Sequence, residues 1–142
     1  MAVNMRGAFT LVEILIVVVI IGILAAITVP QFASATTQAQ HIATFDQLRK
    51  VRSSLSLYYL QAGGRYPDIT AGDGTWGQLL SLSYMREAPV NFWIGTGHPK
   101  VITLASSPDA GFQAAHGWIF NPANGYVWAG SFNGLDEPFA RP

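Results

Sequence analysis

The stretch Phe9–Val29, FTLVEILIVVVIIGILAAITV, decides how this chain is read. It holds 21 residues and one ionisable side chain, Glu13. As a helix it would extend roughly 31 Å at about 1.5 Å per residue, close to the hydrocarbon thickness of a bilayer. Its many Val and Ile residues would weaken an isolated helix in water. In lipid every backbone N–H and C=O must be bonded within the segment, and a helix does that. Hydropathy alone therefore reads Gly7–Pro30 as a membrane anchor. Upstream stands one basic residue, Arg6, and after Val29 no Asp, Glu, Lys or Arg occurs until Asp46. Under the positive-inside rule that single Arg points the N-terminus to the cytoplasm.

The composition fits such a chain. Of 142 residues, 50% are hydrophobic and 11% charged, with 8 basic and 8 acidic residues balancing to zero. No basic stripe is present to hold nucleic acid. The absence of cysteine removes disulfide frameworks, Cys-based zinc sites and thiol nucleophiles.

Glu13 is the anomaly in the apolar run. A carboxylate in a membrane segment is costly and marks a functional position by default. Two readings stand on the residues alone. Glu13 is either a tolerated interfacial carboxylate or the partner of a cation from another subunit.

The string GAFTLVEILIVVVIIGILAAITVPQF, Gly7–Phe32, resembles the N-termini of type IV prepilins and type II secretion pseudopilins. The resemblance implies cleavage by a prepilin peptidase that also methylates the new terminal amine. With Phe9 as first mature residue, Glu13 is fifth, Gly22 fourteenth and Pro30 twenty-second, which matches the family pattern in one frame. The family usually places Gly directly before the cut, whereas here Ala8 stands between Gly7 and Phe9. A cut after Gly7 would shift all three internal positions, so the cut between Ala8 and Phe9 is preferred. The resemblance further implies that Glu13 pairs with the terminal amine of a neighbouring subunit. Inside an apolar fibre core such a pair would set the stagger between copies. An ordinary secretory signal, with Ala33-Ser34-Ala35 as its cleavage site, is the competing reading. The overlong run, Glu13 and Pro30 speak against it.

Beyond Pro30, the residues Ile42, Phe45, Leu48, Val51, Leu55, Tyr58 and Ala62 recur at three- and four-residue spacing and form one apolar stripe. Gly63-Gly64 reads as a helix stop. The spacing thus predicts one helix from Phe9 to Ala62, kinked or locally melted at Pro30. Asp46 and Lys50 are spaced for an i,i+4 ion pair, and His41 flanks the stripe as a solvated residue. Thr75 is a candidate N-cap for a short helix through Leu82. His116–Phe120 and Tyr126–Ala129 read as strands of a hairpin around Asn-Pro-Ala-Asn-Gly, with a third strand near Lys100–Ala105. The aromatic residues of the hairpin either pack on the helical stripe, which is preferred, or form a ligand-stacking surface.

No catalytic constellation is visible. His41, His98 and His116 lack metal-ligand spacing, no Ser lies in a nucleophile elbow, and no Gly-rich phosphate loop occurs. The GGRYPD segment, Gly63–Asp68, is similar to the region after the long helix in the major pseudopilins of type II secretion. Some of those bind calcium through an acidic C-terminal loop. The tail SFNGLDEPFARP offers only Asp136 and Glu137, so no resident cofactor is expected, with calcium in the head as the alternative.

The expected fold is α+β and pilin-like: a long N-terminal helix, membrane-spanning in its first half, packed on a small antiparallel sheet. The expected layout is a leader over 1–8, an assembly helix over 9–30, an amphipathic continuation over 31–62 and a head over 63–142, with its hairpin near 116–129. The resemblance implies a structural, non-enzymatic fibre subunit, a pseudopilin before a type IV or minor pilin. A secreted binding domain released by ordinary signal peptidase is the remaining alternative. The partners implied are copies of the chain, related pseudopilins, prepilin peptidase, membrane lipid, and an inner-membrane platform with its ATPase. The implied location is the bacterial inner membrane in a single pass, with the head periplasmic.

Overall fold

The computed structural model describes residues 9–72 and 74–142. The leader expected over 1–8, with Gly7 and Ala8, lies outside the described residues. Helix α1 spans Leu11–Gln61. Its end follows from Gly63 and Gly64, whose φ angles of 66° and 82° are left-handed. The Gly64 amide donates to Tyr59 O at 2.9 Å, which closes the last turn in the six-to-one manner of a Schellman motif. Pro30 lies within α1, and the helix is neither interrupted nor melted there. Proline removes one donor from the ladder, and the bonds of the adjoining turns carry the helix past that gap.

The chain divides into two compact units, the first ending at Thr37 and the second running Gln38–Pro142. In the first, the described side chains of residues 9–29 are all exposed. The Thr28 hydroxyl donates to Leu24 O at 2.7 Å, and Thr36 and Thr37 donate likewise to Phe32 O and Ala33 O. Each hydroxyl is thereby satisfied by its own helix, as an apolar surrounding requires.

In the second unit the inward stripe of α1 is Thr44, Leu48, Val51, Leu55 and Tyr58. Phe45 and Ala62 are partly buried beside it, whereas Ile42 is 53% exposed and does not join it. Ile42 sits two residues before Thr44, about 200° around the helix, and so faces outward. The stripe packs on Trp76, Leu79, Trp93, Ile102, Trp118, Phe120, Val127, Ala129 and Phe132 in one hydrophobic core. His41 is half-buried and not freely solvated as expected: its ring lies 5.8 Å from that of Phe132 and 6.3 Å from that of Trp93.

A short helix α2, Gln78–Ser81, follows. It is capped by Gly77, not by Thr75, and has no side-chain cap. Trp76 takes a φ of 56° just before it, which turns the chain so that the indole is wholly buried and the helix begins later.

The sheet contains β1 (Ile102–Leu104), β2 (Trp118–Phe120) and β3 (Val127–Ala129), in that order. β2 and β3 are antiparallel, with Phe120 opposite Val127 and Trp118 opposite Ala129. The hairpin closes through Gly125, φ 71°, whose amide donates to Asn121 O at 2.8 Å. β1, however, runs parallel to β2. The α+β fold stands, but its sheet is mixed and not wholly antiparallel. Residues 105–117 are long enough for the crossover that a parallel pair needs, whereas a tight turn permits only the antiparallel arrangement. All three residues of the central β2 are buried.

A buried polar hub ties these elements together. Thr44 and Asn91 are both fully buried. Thr44 Oγ1 donates to Gln40 O and accepts from the amides of Phe92 and Trp93 at 3.0 and 3.2 Å. Asn91 Nδ2 donates to Gly117 O and Gly130 O, both at 2.9 Å. The helix, the 91–93 loop and both strand ends thus share hydrogen bonds, as buried polar groups must.

Candidate functional site

The first unit begins with a reciprocal cap. Thr10 N and Thr10 Oγ1 both donate to Glu13 Oε2, at 2.8 and 2.9 Å. In return, the Glu13 amide lies 3.2 Å from Thr10 Oγ1, which accepts its proton. This is a capping box, in which two otherwise orphaned helix-start donors are satisfied. The sequence carries its signature, Thr-x-x-Glu ahead of an apolar run, and the cap is a third role for Glu13 beside the interfacial carboxylate and the intersubunit partner. Glu13 Oε1 takes no partner within the described chain, so one oxygen caps the helix and the other stays available.

Phe9, the expected first mature residue, is 79% exposed. Gly22 lies nine residues beyond Glu13, about 13 Å along the axis and on the opposite face. A Cβ placed on Gly22 would meet nothing within 4 Å. Its smallness is therefore not demanded by this chain's own packing. Pro30 follows about 12 Å further on, within the same helix. Glu13, Gly22 and Pro30 are thus spread along one helix and do not converge on a common centre. All three lie on one exposed helix and line no common cavity among the described residues.

Among the described residues of the head, the His and acidic side chains do not converge either. His98 Nδ1 lies 3.2 Å from Ala114 O, and His116 Nε2 lies 3.3 Å from Asp109 Oδ1. Among the described residues no group of three His, Cys, Asp or Glu is placed to hold a metal. The two acids of the tail are engaged elsewhere. Asp136 accepts from Arg52 Nη1 and Nη2 at 2.6 and 2.8 Å, and Glu137 Oε2 accepts from Asn133 Nδ2 at 3.1 Å. Arg52 Nε and Nη2 also donate to Val127 O at 3.2 and 2.9 Å. One guanidinium therefore joins α1, the edge strand β3 and the C-terminal turn. No sequence spacing signals that link, since its partners lie 75 and 84 residues away. The ion pair expected between Asp46 and Lys50 is absent from the ion pairs of the described residues, and Arg52 makes the one that ties this helix to the tail.

Comparison with known proteins agrees with the helix geometry. Residues 3–29 match the family model of the prokaryotic N-terminal methylation motif. The chain is 39% identical over 67 residues to the Type II secretion system core protein G of Pseudomonas aeruginosa, covering 47% of this chain and 46% of that protein. It is 30% identical over 87 residues to the Type IV major pilin protein PilE of Neisseria gonorrhoeae, covering 61% and 52%. It is 46% identical over 56 residues to the Type IV narrow pilus major component PilA5 of Thermus thermophilus, covering 39% and 48%. The chain spans about half the length of the curated relatives it matches. No solved structure matches it. A capped, exposed apolar helix bearing the methylation motif, joined to a small α+β unit, makes this chain type IV pilin-like, similar to the type IV pilins and pseudopilins.

Proposed function

We propose that the chain is a structural subunit of a pilus-like fibre, a secretion pseudopilin in particular, and not an enzyme. One observation carries this reading: the apolar half of α1 buries nothing, with every described side chain of residues 9–29 exposed. A surface of that kind needs a cover. Lipid supplies it before assembly, and the same helices of other copies supply it afterwards. A head-to-tail contact that does not close on itself then propagates as a filament.

In this reading prepilin peptidase cuts between Ala8 and Phe9 and methylates the Phe9 amine, with a cut after Gly7 as the alternative. The free Oε1 of Glu13 pairs with the amine of a neighbouring copy, while Oε2 keeps the helix start capped. Gly22 lets a neighbouring helix approach closely. The N-terminus is cytoplasmic and the head periplasmic. A membrane platform and its ATPase draw subunits, together with related pseudopilins, out of the bilayer. The hold of Arg52 on Asp136 supports a head fastened by an ion pair and not by calcium.

The similarity to core protein G and the GGRYPD segment support the secretion role. The similarity to PilE and PilA5 favours a second reading, a type IV pilin. Mass and N-terminal sequence of the mature protein test the fibre reading. A chain beginning with N-methylated Phe9 is expected, and one beginning near Thr36 overturns it. Deletion of the gene separates the two roles. Loss of secreted proteins with surface pili intact supports the pseudopilin, and loss of pili supports the pilin.

A further inference from the structure

A groove of about 760 Å³ opens on the second unit between the end of α1 and the β2–β3 hairpin. That volume lies within the range of small-ligand sites. Two aromatic pairs wall it. Tyr59 and Tyr66 stack at 4.7 Å with a tilt of 32°, and Tyr126 meets Trp128 edge to face at 5.9 Å. The walls are held by the backbone. A Cβ on Gly125 would lie 2.0 Å from Tyr66 Cε1, so the tip of the hairpin rests directly on that ring.

The polar tips of these four aromatics set them apart. Elsewhere Tyr58 bonds Gln78, Tyr84 bonds Gln61, Trp93 bonds Phe139 O, and Trp118 bonds Pro89 O. Trp76 Nε1 also lacks a partner, but it is sealed in the core and open to no ligand. Among the described residues, the hydroxyls of Tyr59, Tyr66 and Tyr126 and the indole N–H of Trp128 have no partner within the chain. The amide nitrogen of Asn124 joins them, its oxygen being held by the Tyr126 amide at 3.0 Å. The charged residue of the groove, Arg52, is neutralised by Asp136. The groove therefore combines apolar faces, five open hydrogen-bonding groups and no unpaired charge. The preferred packing of the hairpin aromatics on the helical stripe holds for Trp118 and Phe120, which are buried in the core. It does not hold for Tyr126, which is 62% exposed.

We propose that this groove is a binding site for a neutral oligosaccharide. A pyranose ring presents C–H faces that lie against aromatic rings and hydroxyls at its rim that bond phenol, indole and amide groups. Tyrosine and tryptophan offer both at low entropic cost. A lipid chain would strip water from the open polar tips without replacing it. A charged ligand would find no free counterion. The assignment is independent of the fibre reading and stands or falls without it.

The test uses the full chain in a zwitterionic detergent that carries no sugar. Maltohexaose, cellohexaose and chitohexaose are titrated, with tryptophan fluorescence and calorimetry as readouts. At least one should bind saturably with Kd near or below about 1 mM. Tyr126→Ala and Trp128→Ala should each weaken it by about tenfold or more. Tyr126→Phe keeps the ring and its packing and should weaken binding by roughly two- to tenfold, the share of one hydrogen bond. Thermal melts verify that the variants remain folded. The proposal is overturned if none of the three sugars binds at about 10 mM, or if binding survives in folded Tyr126→Ala, Tyr126→Phe and Trp128→Ala alike. It is equally overturned if Tyr126→Ala abolishes cross-linking between copies while the sugars leave fluorescence unchanged, since that result gives the groove to a second copy.

Discussion

Thr10 and Glu13 cap each other at the start of α1, with both Thr10 donors converging on the same carboxylate oxygen. The two duties proposed for Glu13 can be separated chemically. Glutamine can serve in a capping box in place of glutamate but carries no charge. Glu13→Gln should keep the helix start ordered, as seen by amide NMR in micelles, yet reduce fibre yield by about tenfold or more because an unpaired neighbouring amine is left in an apolar core. Thr10→Ala should fray the first turn and affect fibre yield less. Normal assembly by Glu13→Gln would remove the ion pair from the mechanism.

Gly22 has open space around it within the chain. Gly22→Leu should therefore leave the melting temperature of the second unit unchanged. The bulk should still impair fibre formation, since close helix approach in an apolar medium depends on small residues. Sedimentation of assembled fibres checks this, and wild-type yield from the variant would contradict it.

The Arg52–Asp136 pair is partly exposed, with side-chain exposures of 40% and 19%, so its worth is discounted for solvent. Its bidentate geometry and the added bonds to Val127 O raise it above an ordinary surface pair. Arg52→Ala should destabilise the second unit by about 1–2 kcal/mol. Arg52→Lys should recover little of that, because an ammonium cannot reproduce the planar fork. Denaturant melts measure both, and an unchanged midpoint in Arg52→Ala would refute the fastening role.

Asn91 binds two carbonyl oxygens that have no access to water. Asn91→Ala strands Gly130 O, leaves Gly117 O with the Gly130 amide alone and opens a cavity, and should cost about 2–4 kcal/mol. Faster hydrogen exchange at the Gly130 and Trp118 amides should accompany it. A loss below about 1 kcal/mol would show that the hub is dispensable.

The elements that proved legible in the sequence are those set by neighbours along the chain. The apolar run from Phe9 to Val29, the stop at Gly63-Gly64 and the hairpin around Gly125 each depend on periodicity or on residues able to take a left-handed φ. Such signals act over a turn or two and need no distant partner. The Thr10-x-x-Glu13 cap was equally local, and only attention to Glu13's charge hid it. Thr75 misled because burial of Trp76, a tertiary demand, moved the cap of α2 to Gly77 and its start to Gln78.

What the tertiary structure alone decided lies in contacts between remote segments. The parallel pairing of β1 with β2 depends on where the 105–117 crossover can run. Arg52 meets Asp136 across 84 positions, and Thr44 meets the Trp93 amide across 49. The groove at Tyr126 exists because the end of α1, Tyr66 and the hairpin, remote in sequence, lie beside one another. Pattern along a chain encodes which face of an element is apolar, and so determined the long helix and its membrane-length start. Which buried polar group finds which partner depends on the three-dimensional closure of the core, and no spacing in the sequence records it.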